Sequence, residues 1–393
     1  MQSTDEHIAR IADAFGSMQT KSDLAEVLTL AKRELYGQDT KAITVQSLNY
    51  HANPALNQSR YRQFGIKKKS GGERSIHAPC KGLKHLLRSL NLVLQCVHEP
   101  HKCASGFVPG KSVVDNAQFH VGQRHVLNLD LQDFFHSFDR NRVKLGFMRG
   151  TIGLRGNREP LAFLLACLCT HPFMVNGEQR IVLPQGAPTS PTLTNMLCET
   201  LDRRLNGLAK RFGLRYSRYA DDITFSGGYH FVSAKGFHDE LHRIIEADQS
   251  LVINPDKTRF QNASFRQEVT GLIVNEKVNV PRRYVKELRM WIYMWERYGK
   301  AKAGSIFSRD YAQDKGHVKN PTPPFEKVIQ GKLNYLKMVK GEDCKTYHGL
   351  SQRFIALQAK HKLVSTVLEV WEDKGIELAI ERFDQQQKRH GKN

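Results

Sequence analysis

Arg218-Tyr219-Ala220-Asp221-Asp222-Ile223-Thr224-Phe225-Ser226 is the stretch on which the reading of this chain turns. Two adjacent aspartates are most often a solvated turn, and alone this pair would carry little. Here β-favouring residues flank it on both sides, so Arg215 to Gly227 reads as strand, tight turn, strand, with Asp221 and Asp222 in the turn. A hairpin set into a sheet holds the carboxylates close, where they repel one another unless a cation lies between them. Oxygen donors of this kind suit Mg²⁺.

A third carboxylate lies upstream. His125 to Leu129 is a short apolar strand that delivers Asp130 at its end, followed by Leu131-Gln132-Asp133-Phe134-Phe135. With that strand beside the hairpin, Asp130, Asp221 and Asp222 converge on one edge of a sheet. Such an edge can hold two Mg²⁺ ions about 4 Å apart, one activating a 3′-hydroxyl and the other clamping a triphosphate, which is what nucleotidyl transfer requires.

The chain has 393 residues, enough for two or three domains, and its 40% hydrophobic content suffices for a core. Its 59 Lys and Arg against 39 Asp and Glu give a net charge of +20, which makes nucleic acid the first partner to consider and an anionic membrane surface the second. The charge is locally dense: Arg60 to Arg88 holds nine basic residues and one acid, Glu73. No apolar run reaches membrane-spanning length, and MQSTDEHIAR lacks the pattern of a secretory signal, so a cytoplasmic protein without a membrane partner is expected. Cys167 and Cys169 read as buried thiols. His98, His101 and Cys103 invite a zinc reading, but no second ligand pair follows at a structural spacing.

Apolar spacing (Ile8, Ile11, Phe15, Leu24, Val27, Leu28, Leu35) predicts a helical section over 5–36, and Leu83, Leu86, Leu87, Leu90 and Leu94 predict a helix over 81–97. Ser70-Gly71-Gly72 predicts a turn between two extended arms. Further helices are expected over 161–169, 187–210 and 235–248, and an extended stretch over 269–280. From Pro281 onward there are 23 Lys or Arg against 13 Asp or Glu, with helical patterns such as Tyr284, Val285, Leu288, Trp291, Ile292 and Trp295 and a polar, Pro-rich connection at 316–324. The expected organisation is an N-terminal helical extension (1–50), a central α+β core (51–280), a helical domain (281–360) and a C-terminal helix with a basic tail (361–393).

These motifs resemble those of reverse transcriptases, and among them the retron type of bacteria. Tyr219-Ala220-Asp221-Asp222 resembles the family's central Tyr-x-Asp-Asp, and Asp130 to Phe135 its first aspartate motif. Lys67 to Ile76 resembles the fingers segment, and Leu183-Pro184-Gln185-Gly186-Ala187-Pro188-Thr189-Ser190-Pro191 the segment before the template-strand helix. All four occur in the family's order. Two signatures narrow the class: Asn116-Ala117-Gln118-Phe119-His120 matches Asn-Ala-x-x-His, and Val269-Thr270-Gly271 matches Val-Thr-Gly. Gln330-Gly331-Lys332-Leu333-Asn334-Tyr335 resembles a thumb segment. The resemblance implies a right-hand α+β polymerase fold with fingers, palm and helical thumb.

The resemblance also implies roles. Asp130 and Asp221 would ligate metal, with Asp222 assisting one ion or orienting the primer end and the Leu131 carbonyl completing one shell. Lys69 and Arg74 would meet the β and γ phosphates of a dNTP, while Lys67 and Lys68 are equally well read as solvated surface. Phe135 stands where the family places an aromatic steric gate against a 2′-hydroxyl; Phe134 reads as core. Gln185 would bond the incoming nucleotide, with Gly186 permitting close approach. Lys257 resembles a lysine near the leaving pyrophosphate, with an ordinary surface lysine as the alternative. His120, otherwise a satisfied core histidine, is expected to grip RNA or the structure beside it.

By the same resemblance, the template and primer would be one structured noncoding RNA, primed from an internal guanosine 2′-hydroxyl. The product would be branched RNA-DNA, with Mg²⁺ (or Mn²⁺) as cofactor, an effector protein encoded alongside, a host ribonuclease H, and a role in antiphage defence. Alternatives are another bacterial class, intron-like or abortive-infection type, and a non-catalytic RNA-binding scaffold.

Overall fold

The structure is a computed structural model that describes residues 4–57, 59–67, 72–175, 177–315 and 322–390. The chain forms two compact units, residues 1–270 with 274–277, and residues 271–273 with 278–393.

The first unit is α+β. Its central sheet has four antiparallel strands in the order β6-β7-β3-β8. The strands are β3 (His125–Asp130), β6 (Arg215–Tyr219), β7 (Asp222–Gly227) and β8 (Arg259–Asn262). Two hairpins lie outside the sheet: β1 (Tyr61–Lys67) with β2 (Glu73–Pro79), and β4 (His171–Val175) with β5 (Glu178–Val182). The turn of the first, including Ser70-Gly71, falls outside the described residues, as does the connection over 316–321.

The apolar periodicity becomes packing much as elementary patterning dictates. Leu83, Leu86, Leu87, Leu90 and Leu94 of the helix Lys81–Val97 are all buried, and Leu24, Val27 and Leu28 of the helix Lys21–Tyr36 join the same core. The section over 5–36 is two helices, not one. The first ends at Ser17 and Thr20 caps the second, accepting from the Asp23 amide at 3.2 Å while Asp23 accepts from the Thr20 amide at 2.9 Å. Ile8 and Leu35, counted as apolar-face positions, are exposed.

The helix expected over 187–210 is likewise two, Ser190–Leu197 and Glu199–Arg211, interrupted where Cys198 leaves helical geometry. That over 235–248 is the helix Phe237–His242 continued as a wider π-type turn, Arg243–Ala247. The stretch 269–280 holds only short extended pieces, because Thr270 and Gly271 take positive φ (48° and 81°) and turn the chain.

The second unit is helical among its described residues: Arg282–Lys315, kinked at Gly299, then Phe325–Lys340, Lys345–Lys374 and Ile376–His390. Its core is aromatic. Trp291 packs edge-on against Phe307 and Phe325, at 5.3 and 5.7 Å between ring centres, and Trp295 against Phe354 at 5.7 Å.

Candidate active site

The register of the central sheet fixes where the carboxylates stand. β3 pairs with β7 so that Asp130 lies directly opposite Asp222, and β6 pairs with β7 so that Tyr219 faces Asp222. Directly opposed residues of an antiparallel pair share a face, so Asp130 and Asp222 present like charges side by side. Ala220 and Asp221 are the two residues of the turn, with Ala220 at φ 59°. The ladder continues past β3: the Leu131 amide donates to the Asp221 carbonyl at 3.2 Å, and the Gln132 amide to the Val252 carbonyl at 2.8 Å. Asp130, Leu131, Asp221 and Asp222 are thereby brought to one end of the sheet.

Electrostatics at that end are unfavourable without a counter-ion. Burial raises the Asp221 pKa and the Asp130 charge adds to this, while Lys257 and Arg74 oppose it. Asp222 reaches solvent at its tip, yet the surrounding protein, then Asp221 and Asp130, push its pKa up to about 7. Lys257 supplies partial compensation. Its ammonium donates to both oxygens of Asp130 at 2.8 and 2.9 Å, and the Asn254 side chain donates to Asp130 at 3.2 Å. Among the described residues no three His, Cys, Asp or Glu side chains are arranged to enclose a metal ion as the chain stands. The donor set nonetheless fits a hard divalent cation: oxygen ligands only, held together against their own repulsion, with an ammonium resting on one of them.

The other expected residues divide into those near this end and those elsewhere. Arg74 is exposed on β2, close enough for its charge to act on Asp221. Lys69 lies outside the described residues. Gln185 and Gly186 abut β2: the His77 amide donates to the Gln185 carbonyl at 2.8 Å, and Gly186, at φ 125°, would place a Cβ 2.8 Å from the His77 carbonyl. Glycine is required there by both backbone angle and space. Phe135, half-buried in the short turn Phe134–Ser137, has Phe107 at 6.4 Å and Phe134 at 5.6 Å, while Phe134 is core.

Of the retron signatures, Asn116, Ala117, His120 and Val269 are buried, while Phe119 and Gly271 are exposed. His120 is fully buried, and its two ring nitrogens hydrogen-bond the hydroxyls of Ser226 and Ser217, each at 2.7 Å. Burial holds its pKa down to about 3, so the ring is neutral. Direct gripping of RNA is closed to such a side chain; it ties β6 to β7. Asn116 and Ala117 are buried in the helix Val113–Gln118, and Val269 is fully buried. The Thr270 hydroxyl donates to the Val113 carbonyl at 3.4 Å, which links the two signatures.

Several residues at the site escaped the reading of the sequence. Asn254 holds Asp130 from the side chain and also donates its amide to the Asp130 carbonyl at 2.8 Å. Residues 103–106, of which Cys103 alone entered the zinc reading, run beside β6: the Arg218 amide donates to the Cys103 carbonyl at 2.9 Å and the Ser105 amide to the Arg218 carbonyl at 2.8 Å. Arg218 itself, read as a mere flank, is fully buried. The strand Arg215-Tyr216-Ser217-Arg218-Tyr219 is polar enough in sequence that nothing local marks Arg218 as buried.

A family model described as reverse transcriptase (RNA-dependent DNA polymerase) matches residues 66–278. The fold is accordingly the α+β one of nucleic-acid polymerases. Retron Mx65 reverse transcriptase of Myxococcus xanthus is 36% identical over 293 residues, which cover 72% of this chain and 62% of that protein. Retron Mx162 reverse transcriptase of the same organism is 38% identical over 267 residues, covering 60% and 52%. Retron Ec86 reverse transcriptase of Escherichia coli is 35% identical over 241 residues, covering 60% and 69%. The chain belongs to the reverse transcriptase family, and within it to the bacterial retron type. The match spans 62% and 52% of the length of the two Myxococcus relatives.

Proposed function

We propose that this chain is an RNA-directed DNA polymerase that copies one cognate structured noncoding RNA. The observation that carries the reading is the register that sets Asp130 opposite Asp222 and locks Leu131 onto Asp221. Asp130, Asp221 and Asp222, with the Leu131 carbonyl, would hold divalent cations, Mg²⁺ with Mn²⁺ able to substitute. Bound there, such ions supply activation of the attacking hydroxyl and charge neutralisation at the leaving pyrophosphate.

The chain's own residues do the rest. Lys257, whose ammonium lies on both oxygens of Asp130, is the group that would meet the leaving pyrophosphate and give it a proton. Arg74, with Lys69, neutralises the β and γ phosphates of the incoming dNTP from the fingers hairpin. Gln185 and Gly186 line the approach of the nucleotide beside β2. Phe135 packs beneath the sugar and rejects a 2′-hydroxyl by clash. His120, Asn116, Ala117 and Val269 support the palm from within, and Thr270 and Gly271 turn the chain beside them. The helical unit clamps the hybrid duplex as a thumb, through backbone charge and shape and not through base contacts.

In biological terms we infer self-priming from an internal guanosine 2′-hydroxyl, branched single-stranded DNA as product, trimming of the template by a host ribonuclease H, and antiphage defence with an effector encoded alongside. The family name of the relatives, retron reverse transcriptase, supports this reading. Sequencing the nucleic acid that copurifies with the protein tests it. Branched RNA-DNA of one sequence is the expected result; heterogeneous cellular RNA would contradict it.

A further inference from the structure

Ala220 sits at φ 59°, a region that costs free energy for any residue with a Cβ and that persists only where the surroundings hold it. Its carbonyl accepts from Nη1 of Arg218 at 3.1 Å. The same guanidinium donates from Nε and Nη2 to the two oxygens of Asp202, each at 2.7 Å, and from Nη2 to Oδ1 of Asn195 at 3.1 Å. Arg218 and Asp202 are fully buried, and Asp202 also accepts the Tyr216 hydroxyl at 2.7 Å. Burial alone would lower the Arg218 pKa, but the Asp202 carboxylate overrides it and raises it, so the guanidinium stays charged.

The turn is held on a second side. Asn195 passes its amide to the Gly106 carbonyl at 2.9 Å, and a Cβ at Gly106 would stand 2.5 Å from the Ala220 nitrogen. One network of buried groups therefore grips both the carbonyl of the strained residue and the loop pressed against its amide. A buried ion pair adds little net stability over packed apolar side chains; what a planar five-donor fork adds is direction.

We propose that Arg218, oriented by Asp202 and Asn195, is a positioning residue that fixes the Ala220-Asp221 turn and so sets where the Asp221 and Asp222 carboxylates stand. It touches no substrate. The proposal rests on the polymerase reading for its consequence in rate, and on the backbone of the turn for a consequence that needs no catalysis.

The test compares Arg218→Lys and Asn195→Ala with Leu90→Ala, a core truncation in the helix Lys81–Val97 that leaves the turn alone. Lysine keeps the charge on Asp202 but cannot span all four acceptor atoms on Asp202, Asn195 and Ala220. Three quantities are measured: thermal melting, kcat and KM for dTTP on a primed RNA, and amide hydrogen exchange across residues 219–223. Both turn variants are expected to lose roughly ten- to a hundredfold in kcat per folded molecule, to keep KM within about threefold, and to exchange faster at the turn. Leu90→Ala is expected to melt lower with wild-type kcat per folded molecule and unchanged exchange there. Should Arg218→Lys fail to fold, the neutral Asn195→Ala decides. Wild-type kcat and exchange in the turn variants, or a kcat loss that Leu90→Ala reproduces, would overturn the proposal. A wild-type protein that incorporates no dNTP would overturn the polymerase reading, and the exchange data would then judge the positioning role alone.

Discussion

At the scale of single residues, the site is a set of groups each held in a state it would not choose in water. Asp222, though it reaches solvent, is pushed up to about 7 by the protein packed around it and by its acidic neighbours Asp221 and Asp130. Phe135, half-buried with Phe107 beside it, is shaped for exclusion and carries little of the core. Phe135→Ala is expected to raise incorporation of ribonucleotides relative to deoxynucleotides by roughly 10- to 100-fold, since loss of a steric wall affects the larger sugar alone. Competition between rCTP and dCTP on one template measures this, and an unchanged ratio would remove Phe135 from the role.

Two buried imidazoles, His77 and His120, and the half-buried His171 make a second prediction at the same scale. Burial holds His120 down to about 3, and His77 and His171 to about 4, against 6.5 for a free ring. The unfolded chain takes up these protons as pH falls through 6.5 while the folded chain does not. Their contribution to stability is therefore fully present above about pH 6.5 and is lost as pH drops toward 4, at up to about 1.4 kcal/mol per pH unit per ring. Urea denaturation at pH 7 and pH 5 should show the weakening, and His120→Gln should flatten the dependence while lowering stability at pH 7.

At the scale of elements, periodicity made the long helices legible and missed their breaks. All five leucines expected on the face of Lys81–Val97 are buried, because a buried helix leaves a 3.6-residue imprint; Ser89 and Val93 join them. The interruption at Thr20 was also written in the chain, as a Thr with Asp three residues on within the mostly polar stretch Gly16 to Asp23, but apolar positions at helical spacing on either side of it hid the cap. Thr20→Ala should cost about 1 kcal/mol, measurable by thermal or chemical denaturation. The hairpin β4-β5 went unread although Asn176-Gly177 is a strong hairpin signal, because Leu161 to Phe173 reads as one apolar stretch.

For the site, the carboxylates and Lys257 could be found from local motifs. Arg218, Asp202, Asn195 and Gly106 could not, since their meeting depends on contacts between segments far apart in the chain. Gly106→Ala makes that dependence measurable. A methyl group forced against the Ala220 backbone should destabilise the protein by about 1–3 kcal/mol, and activity should fall further than the folded fraction does. Activity that follows folded fraction alone would show that the turn tolerates displacement.

At the scale of the whole molecule, charge and fold address the same partner. The chain carries +20, and residues 281–393, most of the helical unit, hold 23 of its basic side chains against 13 acids. No helix among the described residues is long and apolar enough to cross a membrane. Phosphate contacts release counter-ions, so affinity for an RNA of unrelated sequence should fall steeply between 50 and 200 mM salt, with a logarithmic slope of about −0.7 per single-strand phosphate neutralised. A cognate structured RNA should retain more of its affinity at high salt, because shape contacts add to the charge; filter binding of both RNAs across salt distinguishes the two.

The central claim concerns Asp130, Asp221 and Asp222 acting as one centre. Its most direct test is dNTP incorporation on a primed RNA with Mg²⁺ or Mn²⁺, comparing the wild type with Asp221→Asn and Asp130→Asn. The account predicts metal-dependent synthesis by the wild type, abolished by chelation and reduced at least a thousandfold, on the order seen for loss of a central catalytic group, in either variant. Equal synthesis by the wild type and the variants would contradict it.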